Sequence, residues 1–325
     1  MMAGVSDLDL RLLRVFVTVV EARGFSAAQA VLNVGQSTIS NHMAALEQRL
    51  GCRLCQRGRG GFRLTEKGQL AYDAARRLLA AAEQYRTETG ALRNHLAGNI
   101  RLGVVDGTLT DPNAPLTAGL RRFSARDHAV HFHITMDMPT ALAPALLDGR
   151  LDAAIASFPR QTGGLAYTPL YEEVHGMYCG RGHPLFDRPD SRLGLEDIRE
   201  HRVVARGYWH LEDVYPLGLR QASAVVFQME AAAMLVLSGG YIGFLPEHYA
   251  AAWVARGEMR RLMPERLRVS CRFDLATRRG NQSLVLDAFA SDLIAAHREK
   301  RAGQPAARPE PKPSVPVRAA RSPTA

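Results

Sequence analysis

The sequence predicts an α/β protein in which a small, mainly helical winged helix-turn-helix domain precedes a larger region of alternating strands and helices. Three observations lead there. Residues 25–68 read as two short helices, a glycine-rich hairpin and the start of a third helix, with arginines gathered at the hairpin. Residues 66 to about 94 keep one helical pattern, and beyond residue 97 short apolar strands separated by helical stretches argue for a parallel sheet.

In Phe25-Ser-Ala-Ala-Gln-Ala-Val-Leu32, Ser26 is the expected cap of a short helix that turns Ala27, Ala30 and Val31 inward, and Asn33-Val34-Gly35 supplies the turn. A second helix starts at Gln36. Ile39, Met43, Leu46 and Leu50 recur at helical spacing and make its apolar seam. Ser37, Asn41, Ala44 and Gln48 point the other way, and Gln36, Thr38 and Ser40 flank the N-terminal end. Short amides and hydroxyls suit hydrogen bonding to base edges in a major groove. The alternative is an ordinary polar helix surface.

Leu54 to Arg57 and Phe62 to Thr65 then read as a two-stranded wing around Gly58-Arg59-Gly60-Gly61. Arg53, Arg57, Arg59 and Arg63 bracket its tip, where arginine suits phosphates or a narrow minor groove. Thr65 is the expected N-cap of the next helix, with Glu66 complementing its dipole.

These residues resemble the N-terminal signature of the LysR-type transcriptional regulators. The matching stretches are Leu10-Arg-Leu-Leu-Arg-Val-Phe16, Gly24-Phe-Ser26, Gln36-Ser-Thr-Ile-Ser40, Ala45-Leu-Glu47, Leu50-Gly51 and Leu64-Thr-Glu-Lys-Gly68, in order over roughly sixty residues. Three positions depart from the pattern: Gly35 stands where serine is usual, Gln29 replaces a small residue, and Asn41 occupies a position that is often arginine. The helix face and the wing together give Gln36, Ser37, Thr38, Ser40, Asn41, Arg57, Arg59 and Arg63 as the expected DNA contacts, while the departures mean that base preference does not carry over from relatives.

Charge fits this division. The chain of 325 residues carries +9 overall; residues 1–95 hold 13 Lys/Arg against 8 Asp/Glu, residues 298–325 hold 7 against 2, and the middle is nearly neutral. The basic ends suit nucleic acid and the middle has no electrostatic reason to bind it. Neither a secretory signal nor a run of eighteen apolar residues is visible, so the expected location is the cytoplasm, away from membranes. Cys52-Arg-Leu-Cys55 invites a redox or zinc reading, but no second such pair follows, and buried thiols packing the wing are the expectation.

Ala71, Ala75, Leu78, Ala82, Tyr85, Thr89 and Leu92 form a narrow seam along the long helix. It suits either packing on the first helices or a partner helix. The resemblance implies the latter, an antiparallel dimer that sets two recognition helices at helical-turn spacing on DNA. Ala97-Gly98-Asn99 is expected to end this linker.

Beyond it, expected strands are Ile100–Val105, Val130–Met136, Ala153–Ser157, Arg202–Ala205 and Tyr241–Leu245. Expected helices are Leu116–Ala125, Thr140–Leu147, Met229–Ser238, one after Pro246 and one from Ser283 to about Arg298. Two extended stretches, Leu165–Cys179 and Arg268–Ala276, cross between two α/β lobes. Leu102-Gly-Val-Val105, Leu146-Leu-Asp-Gly-Arg-Leu-Asp-Ala-Ala-Ile155, His183-Pro-Leu185 and Gly239-Gly-Tyr-Ile-Gly-Phe-Leu-Pro246 resemble the family's effector domain, which is similar to type 2 periplasmic binding proteins.

The expected organisation is therefore a winged helix-turn-helix domain (1–65), a linker and dimerisation helix (66–96), an effector-binding domain (97–298) and a disordered, basic, proline-rich tail (299–325). Within the effector domain, lobe 1 takes about 97–164 with 269–298, and lobe 2 about 165–268. Ligands of open parallel sheets sit outside strand carboxyl ends. That rule selects Thr108, Thr110, Ser157, Phe158, Arg206, Trp209, Gln228 and Phe244 as effector contacts, although a Thr or Ser there also serves as a cap or turn former. His131 and His133 share a strand face near His128 but lack further ligands, so an exposed edge is expected and no metal site.

Taken together, the expectation is a transcriptional regulator whose partners are double-stranded DNA, a small-molecule effector, RNA polymerase and copies of itself as homodimer or homotetramer through the linker helix and effector domain. No cofactor is implied. Two other classes, a solute-binding protein and an enzyme on the same two-lobed fold, lack an export signal and a visible catalytic constellation respectively.

Overall fold

The computed structural model describes residues 6–56, 62–91, 96–209, 214–281 and 283–302. The chain forms two compact units, one built on residues up to Asn99 together with Ala129–His131 and Leu147–Arg150, the other on the remainder.

The first unit begins with α1 (Asp7–Glu21), capped reciprocally: Ser6 Oγ accepts from the Asp9 N–H and the Asp9 carboxylate accepts from the Ser6 N–H at 2.9 Å. α1 buries Leu12, Val15, Phe16 and Val19 against α2 (Phe25–Leu32) and α3 (Gln36–Leu50). Two expectations for α2 fail. Gly24, at φ +154°, occupies the cap position, so Ser26 lies inside the helix. The inward face is Phe25 and Ala28, whereas Ala27, Ala30 and Val31 are exposed. In α3, Ile39, Met43 and Leu46 are buried as the seam requires, but Leu50 is exposed, because the helix ends at once on left-handed Gly51.

Strands β1 (Cys55–Gln56) and β2 (Arg63–Leu64) pair antiparallel as the wing, whose tip at 57–61 lies outside the described residues. Glu47 Oε1 accepts from the Leu54 N–H at 2.8 Å and ties α3 to the wing's base. Cys55 is buried and Cys52 half-buried, and neither is in a disulfide. Thr65 Oγ1 accepts from the Gly68 N–H at 2.9 Å, capping α4 (Glu66–Ala91). Ala71 and Ala75 pack into the helical core, while Leu70 and Tyr85 are exposed.

Strand β3 (Leu96–Val104), along which the chain passes from the first unit into the second after Asn99, absorbs Ala97-Gly98-Asn99, so this triplet opens a strand rather than closing the linker. There follow α5 (Leu116–Ser124), β4 (His128–Met136), α6 (Pro139–Leu147), β5 (Ala153–Ala156) and the long crossing strand β6 (Leu165–Gly180). The second lobe adds α7 (Leu195–Arg199), β7 (Val203–Arg206), β8 (Ala224–Val226), α8 (Met229–Leu237), β9 (Ile242–Pro246), α9 (Glu247–Ala255) and β10 (Met259–Leu262). The chain returns along β11 (Arg268–Arg278) to α10 (Leu284–Ala302). Residues 299–302 thus continue the last helix instead of starting a tail; 303–325 lie outside the described residues.

All these strands form one sheet in the order β4-β3-β5-β11-β6-β9-β7-β8, with β10 on β6. β3–β5, β7–β8 and β7–β9 pair parallel, but β6 and β11 run antiparallel to each other and to their neighbours, so the sheet is mixed. The register of β6 and β11 shifts between Phe273 and Asp274, where the two lobes meet. Arg101 and Asp152 form a two-bond ion pair between β3 and the entry to β5, and Arg126 grips Asp292 of α10 at 2.6 and 2.8 Å. His128 is half-buried and His131 and His133 are exposed on edge strand β4.

Candidate functional site

On α3, Gln36, Ser37, Asn41, Ala44 and Gln48 are exposed, and Thr38 and Ser40 are half-buried beside the seam. Arg63 is exposed on the second wing strand; Arg57 and Arg59 lie outside the described residues. Gly35 carries no side-chain cap, so the N–H groups of the first turn remain available to an anion.

In the second unit, a cleft of about 300 Å³, counted to its open mouth, lies between the lobes. Lobe 1 contributes Val105 and Asp106 after β3, Pro139 at the start of α6 and Ser157 after β5. Lobe 2 contributes Arg206, Tyr208, Trp209 and Met229, and the crossing strands add His175, Cys271 and Phe273. Of the residues selected from sequence, Ser157, Arg206 and Trp209 come together here. Thr108, Thr110, Phe158, Gln228 and Phe244 do not line it. Thr110 Oγ1 is instead 2.9 Å from His248 Nδ1, Phe158 meets the Tyr167 ring edge-on, Gln228 is exposed before α8, and Phe244 is buried in the lobe 2 core.

The missed residues had partial signals. Asp106 immediately follows the first strand, and its Oδ2 accepts from the Met229 N–H at 2.6 Å, which joins lobe 1 to the α8 N-terminus. Burial holds the Asp106 carboxyl above its ordinary range, opposed by that hydrogen bond. Glu173 and His175 sit two apart in an otherwise largely apolar strand and therefore share a face.

A polar chain runs inward from the cleft. Arg206 is 4% exposed, its guanidinium lies 4.0 Å from the Trp209 ring centroid, and Nη1 is 3.4 Å from His175 Nδ1. An arginine only donates, so His175 accepts at Nδ1 and its Nε2–H points at Glu173 Oε2, 2.6 Å away. Burial and then the Arg206 charge push His175 down to about 4, which keeps it neutral. Burial works to raise Glu173, but hydrogen bonds from His175 and His248 outweigh it and bring the carboxyl down to about 2. Glu173 Oε1 is 3.0 Å from His248 Nε2, and Asp111 Oδ2 is 3.7 Å from the same nitrogen.

Two family models match. Residues 10–69 match the bacterial regulatory helix-turn-helix protein, lysR family, and residues 93–298 match the LysR substrate binding domain. The transcriptional activator BauR of Pseudomonas aeruginosa is 40% identical over 287 residues, 88% of this chain and 94% of that protein. An SDS degradation transcriptional activation protein from a Pseudomonas species is 32% identical over 262 residues, 79% of each chain. Among solved structures, full-length CbnR complexed with its target DNA superposes with a TM-score of 0.60 at 21% identity, covering 88% of this chain and 99% of that one. A DNA-reading unit followed by an effector-binding unit, with relatives that are regulators rather than enzymes or solute carriers, leaves one conclusion: this chain belongs to the LysR family of DNA-binding transcriptional regulators.

Proposed function

We propose that the effector is a small polar molecule that lodges in the interlobe cleft with an anionic group against Arg206, flanked by Trp209, and a hydrogen-bond donor toward Asp106 or Ser157. The single observation carrying this reading is the buried Arg206 guanidinium among the cleft lining, beside a histidine held neutral. A guanidinium buried at a cleft wall offers an anionic group charge-assisted, bidentate hydrogen bonds away from bulk water, which are stronger there than at an exposed surface. In the same reading α3 presents Ser37 and Asn41 to base edges, with Gln36, Thr38 and Ser40 at its entry turn, and Arg57, Arg59 and Arg63 hold phosphates. The exposed Leu70 and Tyr85 on α4 support a homodimer or homotetramer through that helix. Effector binding shifts subunit arrangement and, through it, contact with RNA polymerase in the cytoplasm. No helix among the described residues is long and apolar enough to cross a membrane.

The test is calorimetric binding of a panel of small amino acids, carboxylic acids and amines to the full chain and to Arg206→Gln. The expected hit carries an anionic group and loses most of its affinity in the variant. Selective binding of amines alone, or an Arg206→Gln protein with unchanged affinity, would put the ligand elsewhere.

A further inference from the structure

Behind the cleft, on the far side of Glu173, three side chains from distant parts of the sequence converge. Asp111 follows the turn after β3, Glu173 lies on β6 and His248 sits in the first turn of α9. Their nearest ligand atoms all lie within 4.8 Å of one another. The Asp111 and Glu173 side chains are 1% and 6% exposed, and His248 is 10% exposed, which leaves an approach from solvent at the imidazole.

Hydrogen bonding inside this group does not balance. A single imidazole N–H at Nε2 can serve Glu173 Oε1 at 3.0 Å, and Asp111 Oδ2, at 3.7 Å, then has no donor among the described residues. The Tyr171 hydroxyl is likewise buried without a partner there, and the charges of Glu173 and Asp111 add to burial in raising it. Two buried carboxylates facing one nitrogen call for a cation. Two ligand atoms held about 2.1 Å from one metal at tetrahedral or octahedral angles are roughly 3.0–3.4 Å apart, and the observed 3.0 and 3.7 Å bracket that spacing.

We propose that Asp111 Oδ2, Glu173 Oε1 and His248 Nε2 bind a first-row divalent transition-metal ion that joins the two lobes. The imidazole selects against calcium and magnesium, and the carboxylates neutralise a dication. Thr110 Oγ1, 2.9 Å from His248 Nδ1, orients the ring from behind, as outer partners of metal-bound histidines do. The ion bridges the loop after β3 in lobe 1 to α9 in lobe 2, and Glu173 links it through His175 to Arg206. A metal there therefore stiffens the hinge whatever occupies the cleft.

The experiment uses the full chain stripped of metal with a chelator, titrated with Co²⁺ by absorption and with Zn²⁺ by calorimetry, and melted with and without each ion. Saturable binding of one ion per chain with a raised Tm is expected. Asp111→Asn should weaken it by at least about tenfold, and His248→Gln likewise, while a His131→Ala, His133→Ala double variant binds as wild type. Since Asp111→Asn preserves shape and adds a donor, its metal-free Tm should not fall. No saturable binding in a folded wild-type chain would mean that a proton alone resolves the site. Binding unaffected by both Asp111→Asn and His248→Gln, or lost in the His131/His133 double variant, would assign the ion elsewhere. Each of these results overturns the proposal.

Discussion

Arg206 sits over Trp209, the guanidinium carbon 4.0 Å from the ring centroid, with both side chains buried at the mouth of β7. A desolvated cation–π contact is worth about 2 kcal/mol, so it holds the guanidinium at the cleft lining. Trp209→Ala should cost effector affinity by about 1–2 kcal/mol, and Trp209→Phe less. DNA-binding titrations with and without effector measure this as a shifted midpoint. Equal losses for Ala and Phe would mean that indole packing alone matters.

Close approach of backbone decides the second prediction. A Cβ on Gly68 would lie 1.9 Å from the Leu54 carbonyl oxygen, where α4 crosses the base of the wing. Backbone cannot yield as a side-chain tip does, so Gly68→Ala should destabilise the first unit by about 1–3 kcal/mol or prevent its folding. Thermal melting followed by circular dichroism checks it, and a variant with wild-type Tm would refute the close packing.

Base reading and phosphate holding separate experimentally. Asn41→Ala is expected to flatten discrimination among operator variants by about 1–3 kcal/mol at the base it reads. Arg63→Ala should weaken binding to every sequence and lower the slope of log K against log salt. Footprints on a mutated operator series distinguish them; unchanged preference in Asn41→Ala would show that the exposed face of α3 does not read bases.

A pH dependence follows from His183. Its Nδ1 accepts from the Leu185 N–H at 3.2 Å, its ring meets His201 with centroids 4.6 Å apart, and burial, aided by His201, lowers it to about 4. The unfolded chain takes up that proton near 6.5 and the folded chain only near 4. Stability from this group is therefore complete above pH 6.5 and falls as pH drops from 6.5 to 4, by at most about 1.4 kcal/mol per pH unit. Urea unfolding of the second unit at pH 7, 6 and 5 should show the loss, and His183→Gln should reduce the slope. A slope unchanged by the substitution would remove His183 as its source.

Much of the first unit was legible because its signals are local. The seam of Ile39, Met43 and Leu46, the cap at Thr65 and the wing each follow from neighbours within a few positions. The failures are local too. α2 is only eight residues long, and Ala27, Ala28 and Ala30 fall on different faces of it, so the pattern within the helix does not single out Phe25 and Ala28 as the buried side. In the second unit the strand-end rule led to Ser157, Arg206 and Trp209, yet it could not tell a cleft-facing Thr108 or Phe244 from one used in a turn or a core.

Sequence alone determined the family, the order of the units and the alternation of strands and helices, because these depend on periodicity and on motifs read within short windows. Tertiary structure decided which polar groups meet. Asp106 reaches Met229, Arg206 reaches His175, and Asp111, Glu173 and His248 converge only because β6 and β11 carry the chain between lobes and return it. No local spacing records such meetings, since the distance between two side chains across a sheet is set by strand order and register, and those are properties of the whole fold.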